Sequence, residues 1–187
     1  MIELVAAANE IQQYLNQRGW QFCVIGGLAV QRWGSPRATQ DVDLTLLTGI
    51  GEEFRFIDAL LTSFSARRPD SRQVAEQARV LLIAASNGTP LDVSLGWLPY
   101  EERLIERASP FDFAPGSPVF TCSAEDLIVT KAFANRPRDW VDVDDVISVQ
   151  RGNLDWECIE RELTELCTLR EDNEPLLRLL QSKQRLV

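Results

Sequence analysis

Apolar positions fall into two regimes along the chain. From the start, Leu4, Ala8, Ile11 and Leu15 recur at helical spacing, which predicts a helix over residues 2–18 ended by Gly19. Residues 20–25 form a short apolar run that predicts a buried strand. Residues 27–33 predict one or two helical turns, closed by Gly34-Ser35-Pro36. The pattern then alternates over residues 41–48, with Val42, Leu44 and Leu46 on one face of a strand. Phe56, Leu60 and Phe64 predict a helix over residues 52–64. Residues 66–78 are polar and poorly periodic and read as a loop. Residues 79–85 and 91–95 read as two strands joined at the turn signal Asn87-Gly88. Residues 100–108 predict a short helix, 111–118 an irregular stretch, and 119–121 a last short strand.

Beyond residue 120 the alternation gives way to helical periodicity over residues 124–134, 139–150, 155–169 and 173–185. Ser123 and Asp126 have the spacing of a capping box at the first of these. Strands mixed with helices followed by helices alone predict an α+β fold: a mixed sheet flanked by helices over residues 1–120, then an all-helical C-terminal lobe over residues 121–187.

Composition narrows the chemistry. The 187 residues carry a net charge of −9, which disfavours extended nonspecific wrapping of nucleic acid but leaves room for a local basic groove. No histidine is present, so Ser-His-Asp and Cys-His catalysis and every His-ligated metal site are excluded. The four cysteines, Cys23, Cys122, Cys158 and Cys167, show no Cys-x-x-Cys spacing. The opening Met1-Ile2-Glu3-Leu4 lacks the basic and apolar regions of a signal peptide, and no apolar run has membrane-spanning length. The expectation is a soluble, reduced, cytoplasmic protein.

Three aspartates carry the functional signal. Asp41 and Asp43 stand two apart in Arg37-Ala38-Thr39-Gln40-Asp41-Val42-Asp43-Leu44, and Asp92 stands in Leu91-Asp92-Val93-Ser94. Positions i and i+2 of a strand share a face about 6.6 Å apart. Two such carboxylates repel one another, and a divalent cation relieves the repulsion. Oxygen-only ligands suit magnesium or manganese rather than zinc. Asp92 completes a three-carboxylate cluster if its strand neighbours the first. Alone, an Asp-x-Asp is more often structural. The Gly26-Gly27 pair adds weight, because it follows an apolar run and opens a helix whose N–H groups can face phosphate.

Together these residues resemble the DNA polymerase β-like nucleotidyltransferase superfamily, with its Gly-Gly or Gly-Ser helix start, its Asp-x-Asp and a distant third carboxylate. Ile25-Gly26-Gly27-Leu28-Ala29-Val30 and the Arg-x-Thr-x-Asp-Val-Asp-Leu run look most like the AbiEii-type group, which includes toxins of toxin–antitoxin systems. Ser123 to Lys131 and Arg136 to Asp142 resemble that family's post-sheet helix and following Arg-Asp segment. The match spans roughly residues 20–150. Gly27 stands where Gly-Ser relatives carry a serine hydroxyl.

The resemblance implies transfer of a nucleoside monophosphate from an NTP to an acceptor hydroxyl with Mg²⁺ or Mn²⁺. Asp41, Asp43 and Asp92 would be the metal-holding catalytic carboxylates of a two-metal mechanism. Gly26 and Gly27 would offer N–H groups to phosphates. Lys131 and Arg37 would contact the triphosphate; their other readings are a solvated helix lysine and a carboxylate ion pair. Arg136 and Arg138 are candidates for an acceptor groove, with Arg138 alternatively paired to Asp139. Arg67, Arg68 and Arg72 either guide an RNA end or solvate a loop. Trp97 is either a packing residue or a platform for a base. The acceptor is left open among a tRNA end, a protein hydroxyl and a small molecule such as an aminoglycoside. A cognate antitoxin or toxin is the implied partner. The alternative is a non-catalytic nucleotide- or partner-binding member of a toxin–antitoxin-like module.

Overall fold

The structure, a computed structural model, describes residues 1–186. It is α+β. Among the described residues, α1 (Ile2–Gln17), β1 (Phe22–Val24), α2 (Gly26–Trp33), β2 (Val42–Leu47), α3 (Glu53–Ser63), β3 (Ser65–Ala66), α4 (Ser71–Ala78), β4 (Val80–Ala84), β5 (Pro90–Gly96), α5 (Pro99–Glu106), β6 (Ser109–Asp112) and β7 (Pro118–Thr121) precede a run of helices. That run is α6 (Ala124–Ala134), α7 (Pro137–Val149), α8 (Trp156–Arg170) and α9 (Glu174–Leu186). The strands form one seven-stranded mixed sheet in the order β3-β4-β5-β2-β1-β7-β6. Pairings β2·β5 and β1·β7 are parallel and the others antiparallel.

The chain divides into two compact units. One comprises Met1–Leu28 and Ala38–Cys122; the other comprises Ala29–Arg37 and Ser123–Val187. In the first, the alternation in β2 buries Val42, Leu44 and Leu46 completely, while β5 buries Leu91 and Val93 and β4 buries Leu81 and Ile83. These side chains form one apolar cluster with Ala7, Ala8, Ile11 and Leu15 of α1 and Phe56, Ile57 and Leu60 of α3. Burial of one strand face and one helix stripe drives this packing. It also fixes which β2 and β5 positions point the other way, Asp43 and Asp92 among them.

In the second unit, Leu127, Ile128, Ala132, Val143, Ile147, Ile159, Leu163 and Leu179 are buried among the C-terminal helices. Ser123 caps α6, its hydroxyl accepting from the Asp126 N–H at 3.0 Å and donating to the Asp126 carboxylate at 2.9 Å.

Two segments differ from the sequence expectation. Residues 66–78 hold the last residue of the edge strand β3 and the helix α4. In α4 only Ser71 and Ala75 are buried, one turn apart, and two small residues leave no apolar periodicity to detect. Ser71 anchors the helix start by donating to the Leu82 carbonyl at 2.8 Å and accepting from the Arg68 N–H at 3.1 Å. Residues 109–112 form β6, the sheet's other edge, where a proline is tolerated because no ladder partner lies beyond it.

Candidate active site

The three aspartates converge. Asp43 and Asp92 are direct partners in the parallel β2·β5 register, and Asp41 enters β2 one residue before its start. One carboxylate oxygen from each of Asp41, Asp43 and Asp92 lies within 4.8 Å of the other two, and all three residues are half-buried. The condition set by the sequence, that the third aspartate's strand neighbour the first, holds.

The glycine pair packs directly against this cluster. Gly26 has φ +61°, a backbone region that side chains rarely adopt, and a Cβ there would fall 2.0 Å from Asp43 Oδ2. A Cβ on Gly27 would fall 2.2 Å from Thr39 Oγ1. The Gly27 N–H lies 3.4 Å from Asp43 Oδ2, and the Ile25 N–H donates to the Asp43 carbonyl at 2.9 Å. The start of α2 thus holds Asp43 from its backbone and its side chain. Thr39 extends the arrangement, donating to Asp41 Oδ1 at 3.0 Å. In the sequence it is the threonine of the Arg-x-Thr-x-Asp-Val-Asp-Leu run, two residues before Asp41.

Arg67 joins the cluster from the segment read as a loop: its Nη1 donates to Asp92 Oδ1 at 2.5 Å. The other two arginines of that segment are also paired, Arg68 with Asp70 and Arg72 with Asp58 and Glu76. Each of the three arginines is therefore engaged by carboxylates of its own. Trp97 follows the end of β5, five residues beyond Asp92, or about 16 Å along the strand. It is 44% exposed, with the Arg79 guanidinium 6.0 Å from its ring centre.

Arg37 and Lys131 belong to the second unit and meet there on one carboxylate. Arg37 donates to both oxygens of Asp142 at 2.7 and 2.8 Å. Lys131 Nζ sits 2.7 Å from Asp142 and 3.1 Å from Asp139. Arg136, rather than Arg138, completes the cluster by donating to Asp139 at 2.5 Å. The i,i+3 spacing across the Pro137-led first turn of α7 brings Arg136 to Asp139, while Arg138 is exposed. Burial pushes the Asp139 carboxyl upward, but hydrogen bonds and charge from Arg136 and Lys131 outweigh it and hold the group below the usual carboxylate range.

Residues 16–186 match the family described as nucleotidyl transferase AbiEii toxin, type IV TA system. The chain belongs to this family. Among solved structures, an antigenic nucleotidyltransferase-like protein from Paracoccidioides brasiliensis shares the fold at a TM-score of 0.53 and 17% identity, over 95% of this chain and 93% of that one. The antibiotic-resistance factor ANT(2'')-Ia gives TM-scores of 0.48 in two structures, a solution structure at 18% identity and a complex with adenylyl-2''-tobramycin at 17%. These cover 97% and 98% of this chain and 91% and 98% of theirs. No curated protein matches the AbiEii-family chain in sequence. Among the described residues, no helix is long and apolar enough to cross a membrane.

Proposed function

We propose that this AbiEii-family chain is a divalent-metal-dependent enzyme that moves a nucleoside monophosphate from an NTP to an acceptor hydroxyl. The observation that carries the reading is the in-register pairing of Asp43 with Asp92, with Asp41 beside them, inside a matched nucleotidyltransferase family. The donor set fits the metal: three carboxylates, no nitrogen or sulfur ligand, and enough exposure for a hydrated ion to enter. Asp41 and Asp43 would hold Mg²⁺ or Mn²⁺, and Asp92 would complete the site. A bound divalent ion supplies charge neutralisation for the triphosphate and a lower pKa for the acceptor hydroxyl.

The protein's own contribution is positioning. Gly26 and Gly27 let Asp43 lie against the start of α2, and Thr39 orients Asp41 by a hydrogen bond. A correctly aimed, preformed cluster is what phosphoryl-transfer chemistry asks of a protein. Arg37 and Lys131 remain the candidate triphosphate contacts. Their cluster sets three cations, Arg37, Lys131 and Arg136, against two carboxylates, Asp139 and Asp142, which favours an anionic ligand. The type IV toxin family supports a macromolecular acceptor, an RNA end or a protein hydroxyl, and a cognate antitoxin as partner. All four cysteines are buried and outside any disulfide, which suits a reducing compartment such as the cytoplasm.

The test incubates purified chain with Mg²⁺ or Mn²⁺ and each labelled NTP, offering total RNA, protein extract and aminoglycosides as acceptors. The expected result is label on one acceptor class, abolished by Asp43→Ala and Asp92→Ala. Label on none of them, or transfer that survives both substitutions, overturns the assignment.

A further inference from the structure

The sheet register places four residues in one row: Asp43 on β2, Asp92 on β5, Leu82 on β4 and Arg67 just past β3. Asp43 pairs with Asp92 and Asp92 with Leu82. β3 pairs Ser65 with Ala84 and Ala66 with Ile83, and the ladder continues through the Arg67 N–H to the Leu82 carbonyl at 3.1 Å. Residues directly opposite across neighbouring strands point to the same face. Arg67 therefore faces the same side as the two aspartates, two strand spacings or about 9.6 Å from Asp92. A long arginine stem spans that distance, and its guanidinium ends on Asp92 Oδ1.

Of the three arginines in this segment, Arg68 and Arg72 pair with Asp70, Asp58 and Glu76, all outside the triad. Arg67 alone of the three reaches it. Its partner is the carboxylate expected to complete the metal site, and Asp92 Oδ1 cannot keep a guanidinium at 2.5 Å while a cation takes the same position. Both side chains are 29% exposed, so the pair is wet enough to be displaced.

We propose that Arg67 is an internal counter-ion for Asp92 that a divalent cation must displace. The Arg67–Asp92 pair then sets the metal concentration at which the third carboxylate is recruited. Before metal arrives, Arg67 offsets the repulsion among three gathered carboxylates and keeps Asp92 aimed at the cluster. The inference rests on the reading of the triad as a metal site.

The test is Mn²⁺ binding to the full chain without nucleotide, by isothermal titration and by the electron paramagnetic resonance signal of free Mn²⁺. Arg67→Met keeps most of the stem and removes the charge. It is expected to bind Mn²⁺ about twofold to fivefold more tightly than wild type, the scale of a partly exposed charge pair. The gain should vanish in an Asp92→Asn background. Thermal melts in EDTA and in Mn²⁺ add a readout that a purely structural arginine would not move: the Mn²⁺-dependent rise should be larger for Arg67→Met. Equal or weaker affinity, or a gain that persists with Asp92→Asn, overturns the proposal. No Mn²⁺ bound by wild type, or binding indifferent to Asp43→Asn, overturns the metal reading itself and this inference with it. If Arg67→Met does not fold in EDTA, Arg67→Gln, which removes the charge but keeps a polar head, carries the same test, and affinity equal to wild type then refutes the competition.

Discussion

Gly26→Ala probes how tightly the fold and the site are joined. At φ +61° an alanine pays a backbone cost of about 1–2 kcal/mol. Its Cβ would also fall 2.0, 2.5 and 2.6 Å from Oδ2, Cγ and Cβ of Asp43, against ordinary contacts beyond 3.4 Å. Overpacking of this kind costs about 1–3 kcal/mol. The sum, about 2–5 kcal/mol, is a large part of a typical domain's stability of about 5–15 kcal/mol. Rotating Asp43 away relieves part of the overlap, but it withdraws one carboxylate from the triad, so a folded variant should bind Mn²⁺ more weakly than wild type. The assay is urea denaturation of wild type, Gly26→Ala, Asp43→Gly and the double variant, compared at equal m-values. Asp43→Gly removes all three colliding atoms, so Gly26→Ala should cost only its backbone share there. The expected coupling is about 1–3 kcal/mol, and additivity within about 0.5 kcal/mol would refute the collision.

Further outcomes are expected elsewhere. Gly27→Ala, which in an unobstructed helix gains up to about 1 kcal/mol, should instead destabilise, because its Cβ meets Thr39 Oγ1 at 2.2 Å; a raised melting temperature contradicts this. The depressed Asp139 carboxyl contributes stability above the ordinary carboxylate pKa and loses it as pH falls through its lower folded value. Asp139→Asn should accordingly flatten the acid limb of a stability–pH curve, and an unchanged limb counts against the assignment. Lys131→Met should destabilise by about 2–3 kcal/mol in denaturant melts, since it strips a cation from two buried carboxylates that keep one arginine each; a near-neutral change would mean the lysine is dispensable to the cluster. Trp97→Phe should leave nucleotide binding, followed calorimetrically, unaltered; a large loss of affinity would restore the base-platform reading.

The sequence was most informative where one periodicity ruled. Alternation in residues 41–48 and 91–95 assigned Asp43 and Asp92 to the faces opposite the core before any pairing was known. Their adjacency was conditional, because strand order is a non-local choice that no short window records. Arg67 was illegible for the same reason: its partner lies 25 residues away, and its face depends on a two-residue strand at a sheet edge. Arg37 and Lys131 stood out as cations near a motif, but nothing in their spacing announced a shared carboxylate at Asp142. The helix α4 escaped because its buried stripe is Ser71 and Ala75, residues that also populate loops.

The parallel pairing of β2 with β5 also has a kinetic meaning. Asp43 and Asp92 are 49 positions apart, and contacts of such separation form slowly because a long loop must close first. A nascent chain that has emerged only through α4 carries Asp41 and Asp43 but neither the third carboxylate nor the strand that aligns it. On the proposed reading of the triad, a chain stalled, clipped or locally unfolded in β5 lacks the third ligand and would hold the metal with two carboxylates at most. For a member of a toxin family, the proposed activity would then begin only once β5 has paired with β2.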